Sequence, residues 1–235
     1  MPRGACTVPE AGDAAILDLS EPRLTDQAVF DGALDRLLMA DERLLPLVAE
    51  AGRPALRQRP PGFAGLAAVV IAQQLSVSAA RAIEARVTAT LGGTLAPEAL
   101  LRADAETLRA AGLSAAKIRT LTAIAKSLDE GIVDLAAVGT MDADAAAAYL
   151  TRLPGIGTWT ADIYLLFCQG RADAFPPGDL ALQVAAGDAF ALPARASAQG
   201  LAAIAEDWRP LRGVAAHLLW AFYGARRRRT GAPTG

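Results

Sequence analysis

Apolar residues recur at three- and four-residue spacing along most of this chain, and nowhere do they alternate with a period of two over the length of a strand. The first spacing turns one face of a helix toward a core, and its near-universal use predicts an all-α chain of about ten helices. Thr25 and Asp26 can cap a helix through Phe30, Leu34, Leu37 and Leu38. A short helical piece carries on to Leu45, where Pro46 is expected to interrupt it. Residues 57–62 hold three prolines or glycines in six positions and mark a boundary. Residues 63–91 read as helical with a break near Leu75-Ser76, ended by Gly92-Gly93. Short helices are expected over 97–101 and 104–111, and Ser114 caps a helix through Ile118, Leu121, Ile124 and Leu128. A short piece covers 135–138, and helices over 141–150, 160–168, 180–190, 198–207 and 211–224 complete the pattern. The expected organisation is an irregular leader over 1–20, one helical domain over 21–225, and a flexible basic tail over 226–235, opened by Arg226-Arg227-Arg228-Arg229.

One stretch breaks the apolar pattern in an informative way. Leu153-Pro154-Gly155-Ile156-Gly157-Thr158-Trp159-Thr160-Ala161 places two glycines around one apolar residue, between a helix with an acidic first turn and an apolar helical run. Glycine permits a tight turn and the close approach of another group to the backbone. The free N–H groups at the start of the following helix then face outward at the positive end of its dipole, which suits a phosphate. A helix–helix turn that uses glycine only as a C-cap explains the GxG spacing equally well. A second helix–turn–helix unit surrounds Gly112-Leu113-Ser114.

Composition narrows the classes. The chain has 235 residues, of which 53% are hydrophobic and 20% charged, ample for a core. No uninterrupted apolar run reaches membrane-spanning length, and residues 1–10 lack a basic-then-apolar signal, so no membrane partner is expected. The two cysteines, Cys6 and Cys168, are too few for a four-cysteine iron–sulfur cluster and fit a reducing cytoplasm; the single histidine, His217, argues against a zinc site. Net charge is −2, which counts against sequence-blind coating of nucleic acid but not against a short, locally basic footprint. Asp179, in Pro176-Pro177-Gly178-Asp179-Leu180, opens a helix, a place where aspartate often serves only as an N-cap. It follows the hairpin helix by one loop, which can return it to the turn.

The order of "LPGIGTWTA", apolar helix, loop and "PPGD" resembles the helix-hairpin-helix (HhH-GPD) base-excision DNA glycosylases, most closely their alkylation-repair, 3-methyladenine DNA glycosylase II branch. Three further stretches are similar: Ala72-Gln73-Gln74-Leu75-Ser76, Gly112-Leu113-Ser114 with Lys117, and Trp208-Arg209-Pro210-Leu211-Arg212 with Trp220. The motif core runs over 63–223. The resemblance implies a two-lobed all-α fold with the active site in the cleft between lobes. It implies that Asp179 is the catalytic carboxylate, and that Trp159 and Trp220 form the base pocket. Leu153, Pro154, Gly155, Ile156, Gly157 and Thr158 form the DNA-binding hairpin. Gln73, Gln74 and Leu75 lie where a side chain wedges into the DNA stack, with Gln74 or Leu75 as the wedge. The carbonyls of Thr151, Leu153 and Ile156 match those that hold Na+ or K+ between hairpin and phosphate; no other cofactor is required.

Chemistry supports these roles separately. A base must leave the stack to be reacted on, and a wedge reduces the cost. Glycosidic cleavage builds an oxocarbenium-like sugar, which one carboxylate stabilises while activating water. An alkylated purine is cationic, leaves readily, and is attracted to the face of a tryptophan.

The departures are informative too. Relatives that also cut the strand carry a lysine where Trp159 stands, so a monofunctional enzyme is expected. Larger members carry a β-rich N-terminal domain; about 60 residues precede Phe63 and read helical, so that domain is expected to be reduced or absent. Ile163 replaces an aromatic one turn after Trp159. Expected, then, is a monomeric enzyme of the bacterial nucleoid that hydrolyses alkylpurine glycosidic bonds in damaged double-stranded DNA. A glycosylase for ethenoadenine, hypoxanthine or a mismatched base, and a non-catalytic DNA-binding module, remain as alternatives.

Overall fold

A computed structural model describes residues 21–229; the expected leader over 1–20 and residues 230–235 lie outside the described residues. Within them the chain forms twelve α-helices and no strand, with one isolated bridge between Arg23 and Arg171. In order these are α1 (Gln27–Ala40), α2 (Leu45–Ala51), α3 (Gly62–Ala72), α4 (Val77–Thr90), α5 (Pro97–Arg102), α6 (Ala105–Ala110), α7 (Ala115–Asp129), α8 (Ala143–Thr151), α9 (Thr158–Cys168), α10 (Leu180–Ala189), α11 (Ala198–Ala205) and α12 (Arg212–Arg229).

Short polar side chains set most of the starts. Asp26, Ser76, Asp104, Ser114, Asp142, Asp179 and Ser197 each accept the backbone N–H three residues further on. Each such cap stabilises its helix by about 1 kcal/mol. Two expectations are corrected. Pro46 does not end a helix but begins α2, at a position whose N–H would have no partner inside the helix. The four arginines expected in a flexible tail form the last turn of α12, so the domain edge at 225/226 falls inside a helix. Arg226 and Arg229 face Glu50, at 3.8 and 3.1 Å, and Arg226 also faces Asp188 at 3.9 Å. Cations at a helix C-terminus suit its dipole as well.

The helices pack in two groups. One, from the middle of the chain, sets α3 against α4, α7 and α9, α7 against α5 and α6, and α8 against α9. The other, from both ends of the chain, gathers α1, α2 and α10 around α12, with α11 beside α10. One apolar core runs through both. Residues 63 and 65–71 of α3 are all buried, which explains why that helix is apolar all round.

Candidate active site

The α8–α9 connection is a hairpin whose apolar residues point in and whose small residues point out. Leu153 and Ile156 are buried, while Pro154, Gly155, Gly157 and Thr158 are exposed. The Ile156 N–H donates to the Leu153 carbonyl at 3.1 Å and closes the turn. Gly155 has a φ of 79°, and a Cβ built there would stand 2.2 Å from Thr120 Oγ1 on α7. Glycine is therefore required at 155 by the protein itself. Gly157 differs: its backbone is extended and a Cβ would meet nothing within 4 Å.

No side chain caps α9. Other helices without their own cap residue are provided for: α2 and α5 carry a proline in the first turn, the Gly62 N–H of α3 donates to Tyr164 Oη at 3.0 Å, and the Arg212 N–H of α12 donates to Asp173 at 3.3 Å. Among the described residues α9 alone starts with neither acceptor nor proline. Its first N–H groups are free to meet an anion.

Opposite the hairpin helix, α10 opens on Asp179. Three N–H groups converge on its carboxylate. Leu182 N–H and Trp220 Nε1 each donate to Oδ1 at 3.1 Å, and Trp159 Nε1 donates to Oδ2 at 3.0 Å. The three donors come from α10, α12 and α9. Hydrogen bonds to a charged acceptor are the stronger kind, so the carboxylate is fixed in place. The two tryptophans expected as pocket faces thus also hold the aspartate, which their sequence positions could not reveal.

A cavity of about 660 Å³ opens beside this carboxylate, lined by residues of both helical groups, among them Gln73, Gln74, Leu75, Trp159, Asp179 and Leu180. Leu75 and Leu180 are exposed apolar side chains at its edge. The α3–α4 turn supplies the first three of these residues and does not treat them alike. Gln73 turns inward, its Nε2 donating to Thr160 Oγ1 at 2.8 Å and to the Gly155 carbonyl at 3.4 Å. That tether ties the turn to the hairpin and leaves Gln74 and Leu75 as the presented pair. Gln74 has a φ of 58°, a costly conformation for a residue with a side chain. From below, Lys117 Nζ donates to the Ile71 and Gln73 carbonyls at 2.8 and 2.9 Å, closing the end of α3. The "GLS" turn with its lysine therefore supports the α3–α4 turn, a role the motif alone did not disclose.

The "WRPLR" stretch also finds its function. Trp208 is buried and its Nε1 donates to Asp41 at 2.8 Å. Hydrogen bonds from Arg43, with that of Trp208, hold the Asp41 carboxyl down at about 2. Arg209 and Arg212 clamp Asp173, at 2.6 and 2.8 Å, and so anchor the loop that delivers Asp179.

His217 is buried among Phe30, Phe167 and Trp220, with ring centroids 5.1, 5.4 and 6.2 Å away, and its Nδ1 pairs with the Gly213 carbonyl at 2.8 Å. Burial pushes its pKa down to about 4, against 6.5 for a free histidine. Between those values the unfolded chain holds a proton that the folded one rejects, so stability falls as pH falls through this window. The full loss is about 3 kcal/mol. His217→Phe should flatten that part of the curve when melting temperature is followed from pH 7 to 4; a slope that survives the substitution would assign it to carboxylates instead.

Comparison with known proteins agrees with this architecture. Residues 67–210 match the HhH-GPD superfamily base excision DNA repair protein family. DNA-3-methyladenine glycosylase 1 of Schizosaccharomyces pombe is 29% identical, over 76% of this chain and 80% of its own. The DNA-3-methyladenine glycosidase structure from Bacillus halodurans has a TM-score of 0.73 at 30% identity, covering 89% of this chain and 94% of that one. The 3-methyladenine DNA glycosylase of Schizosaccharomyces pombe, solved in complex with abasic DNA, gives 0.74 at 30% identity, covering 80% and 95%.

Proposed function

The chain belongs to the HhH-GPD superfamily of base excision DNA repair proteins, and from that membership we propose that it hydrolyses the N-glycosidic bond of alkylated purines, of the 3-methyladenine type, in double-stranded DNA. The observation that carries the reading is the Asp179 carboxylate, held by the N–H groups of Trp159, Trp220 and Leu182 beside a 660 Å³ cavity.

The hairpin grips a backbone phosphate through the uncapped start of α9, and Gln74 or Leu75 fills the gap left by the flipped nucleotide. The damaged base enters between Trp159 and Trp220 and leaves with the electron pair of the bond to C1′. Asp179 stabilises the sugar cation that forms and takes the proton of the water whose oxygen then bonds to C1′. A cationic purine leaves as a neutral base and needs no acid.

The carbonyls of Thr151, Leu153 and Ile156 would hold a Na+ or K+ ion. Among the described residues no backbone N–H donates to the first or third, and a carbonyl that accepts once, as Leu153 does, retains a lone pair. Such an ion supplies positive charge to the phosphate that the hairpin holds.

The enzyme leaves the strand intact. Trp159 stands where a strand-cutting enzyme needs an amine, neither of the chain's two lysines lines the cavity, and Lys117 is engaged beneath the α3–α4 turn. We expect it to act as a monomer. Purified protein should release free 3-methyladenine from methylated duplex and leave abasic strands that break only on alkali treatment. Duplex binding without base release would make it a binding module, and nicking without alkali would overturn the monofunctional reading.

A further inference from the structure

The hairpin and the α3–α4 turn, which the reading above brings to a phosphate and to the gap in the stack, are joined through one residue. Gln73, the C-cap of α3, is fastened at two points. Its carbonyl accepts from Lys117 Nζ of α7 at 2.9 Å. Its side-chain Nε2 donates to Thr160 Oγ1 at 2.8 Å and to the Gly155 carbonyl at 3.4 Å. Thr160 is buried in the first turn of α9, the helix whose uncapped start the hairpin presents. Helix α7 braces both partners. Lys117 holds the turn, and Thr120, three residues on, lies so close to Gly155 that a Cβ there would stand 2.2 Å from its Oγ1.

The residue after the tether is the strained one. Gln74 has a φ of 58°, and such conformations persist only where their surroundings over-determine them. Gln73 supplies that constraint on one side. On the other, the Leu75 N–H returns to the Ala72 carbonyl at 3.2 Å and Ser76 caps α4. Gln74 and Leu75 are both exposed, one and two residues from a hydrogen bond into the hairpin helix.

We infer that Gln73 is a positioning residue that couples capture of a phosphate at the hairpin to insertion of Gln74 or Leu75 into the DNA stack. It acts through those neighbours and takes no part in bond cleavage. This rests on the glycosylase reading above and deepens it. Two contacts carried on one rigid body make the second an intramolecular step, so the wedge arrives already ordered once the phosphate is held. A turn loose from the hairpin would meet the cost of ordering at every flip.

The test uses an abasic-site duplex with 2-aminopurine beside the gap, whose fluorescence rises when its neighbours unstack. Affinity at several salt concentrations, melting temperature and single-turnover base release from methylated duplex are measured on the same samples. Wild type is expected to raise the fluorescence on binding. Gln73→Met keeps the length of the side chain and loses the donor. It should weaken the rise and slow base release by about fivefold, the worth of one neutral hydrogen bond. The salt slope should stay unchanged, because the hairpin keeps its phosphate. Thr160→Val should reproduce the effect, and the double variant should be no worse than either single one, since both break the same bond. Thr160→Ser, which keeps the hydroxyl, should restore it. With Gln74 and Leu75 both replaced by alanine, Gln73→Met should have no further effect. Additive losses, or an effect that survives without the wedge, would overturn the inference. So would a lower melting temperature with full fluorescence per bound complex, which makes Gln73 a support of the fold only. A reduced salt slope would make it part of the phosphate site, and a wild type without a fluorescence rise would leave no insertion to couple; either result also overturns it. A wild type that shows the coupled fluorescence but releases no base defeats the glycosylase reading alone and leaves the coupling standing.

Discussion

Asp179→Asn is expected to lower the single-turnover rate of base release by about 10²–10³, because it removes a preorganised charge from beside the developing sugar cation. The substitution is not as silent structurally as its shape suggests. Asp179 Oδ1 accepts from Leu182 and Trp220, and Oδ2 from Trp159. Asparagine has one acceptor oxygen. If that oxygen stays on Leu182 and Trp220, its amide N–H groups face the Trp159 indole N–H, and two donors are left opposed. A stability loss of about 1–3 kcal/mol should follow from the unpaired groups, so an activity loss alone could reflect a displaced tryptophan. Trp159→Phe separates the two causes. It keeps an aromatic face, removes the donor and leaves the carboxylate. If charge is what matters, Trp159→Phe should lose far less than Asp179→Asn, with duplex affinity retained in both. Equal losses would make Asp179 a support for the tryptophans, and near-wild-type activity in Asp179→Asn would reduce it to the cap of α10.

Gly157→Asp should separate stability from DNA binding in the opposite sense. Gly157 is the N-cap of α9, its backbone is extended, and its surroundings leave room for a Cβ. Aspartate is among the best N-cap residues and glycine only slightly behind it, so the fold should be as stable as before or firmer by a few tenths of a kcal/mol. The same carboxylate would then occupy the N–H groups reserved for phosphate. Like charges placed against each other at an interface cost several kcal/mol, and affinity for an abasic-site duplex should fall by tenfold or more. The salt dependence should also weaken, its log–log slope dropping by about 0.9 for one lost phosphate contact. Fluorescence anisotropy titrations at several salt concentrations would show it. Unchanged affinity and slope in a well-folded variant would place the phosphate elsewhere. Gly155 offers no such clean experiment, since any side chain there collides with Thr120 and strains the turn.

Features whose cause lies within one helical turn were determined by the sequence alone. Asp26, Ser114, Asp142 and Asp179 start their helices because an acceptor three residues ahead of a free N–H is a local arrangement. The all-α class, the breaks at Ser76 and Gly112, and the exposed glycines of the hairpin follow for the same reason. Where a local signal had two readings, tertiary packing chose between them. Pro46 can stop a helix or begin one, and it begins α2. Arg226–Arg229 can fray or continue, and they continue because Glu50 and Asp188 lie alongside. The site itself was decided almost wholly in three dimensions. Trp159 and Trp220 reach Asp179 across 20 and 41 residues, Lys117 reaches the α3–α4 turn across 44 and the end of α3 across 46, and Gln73 reaches Thr160 across 87. A side chain's chemical type and its place on a helix are legible from the sequence, but which partner it meets depends on how the two helical groups close on each other, and that is set by the burial of a shared apolar core rather than by any neighbour in the chain.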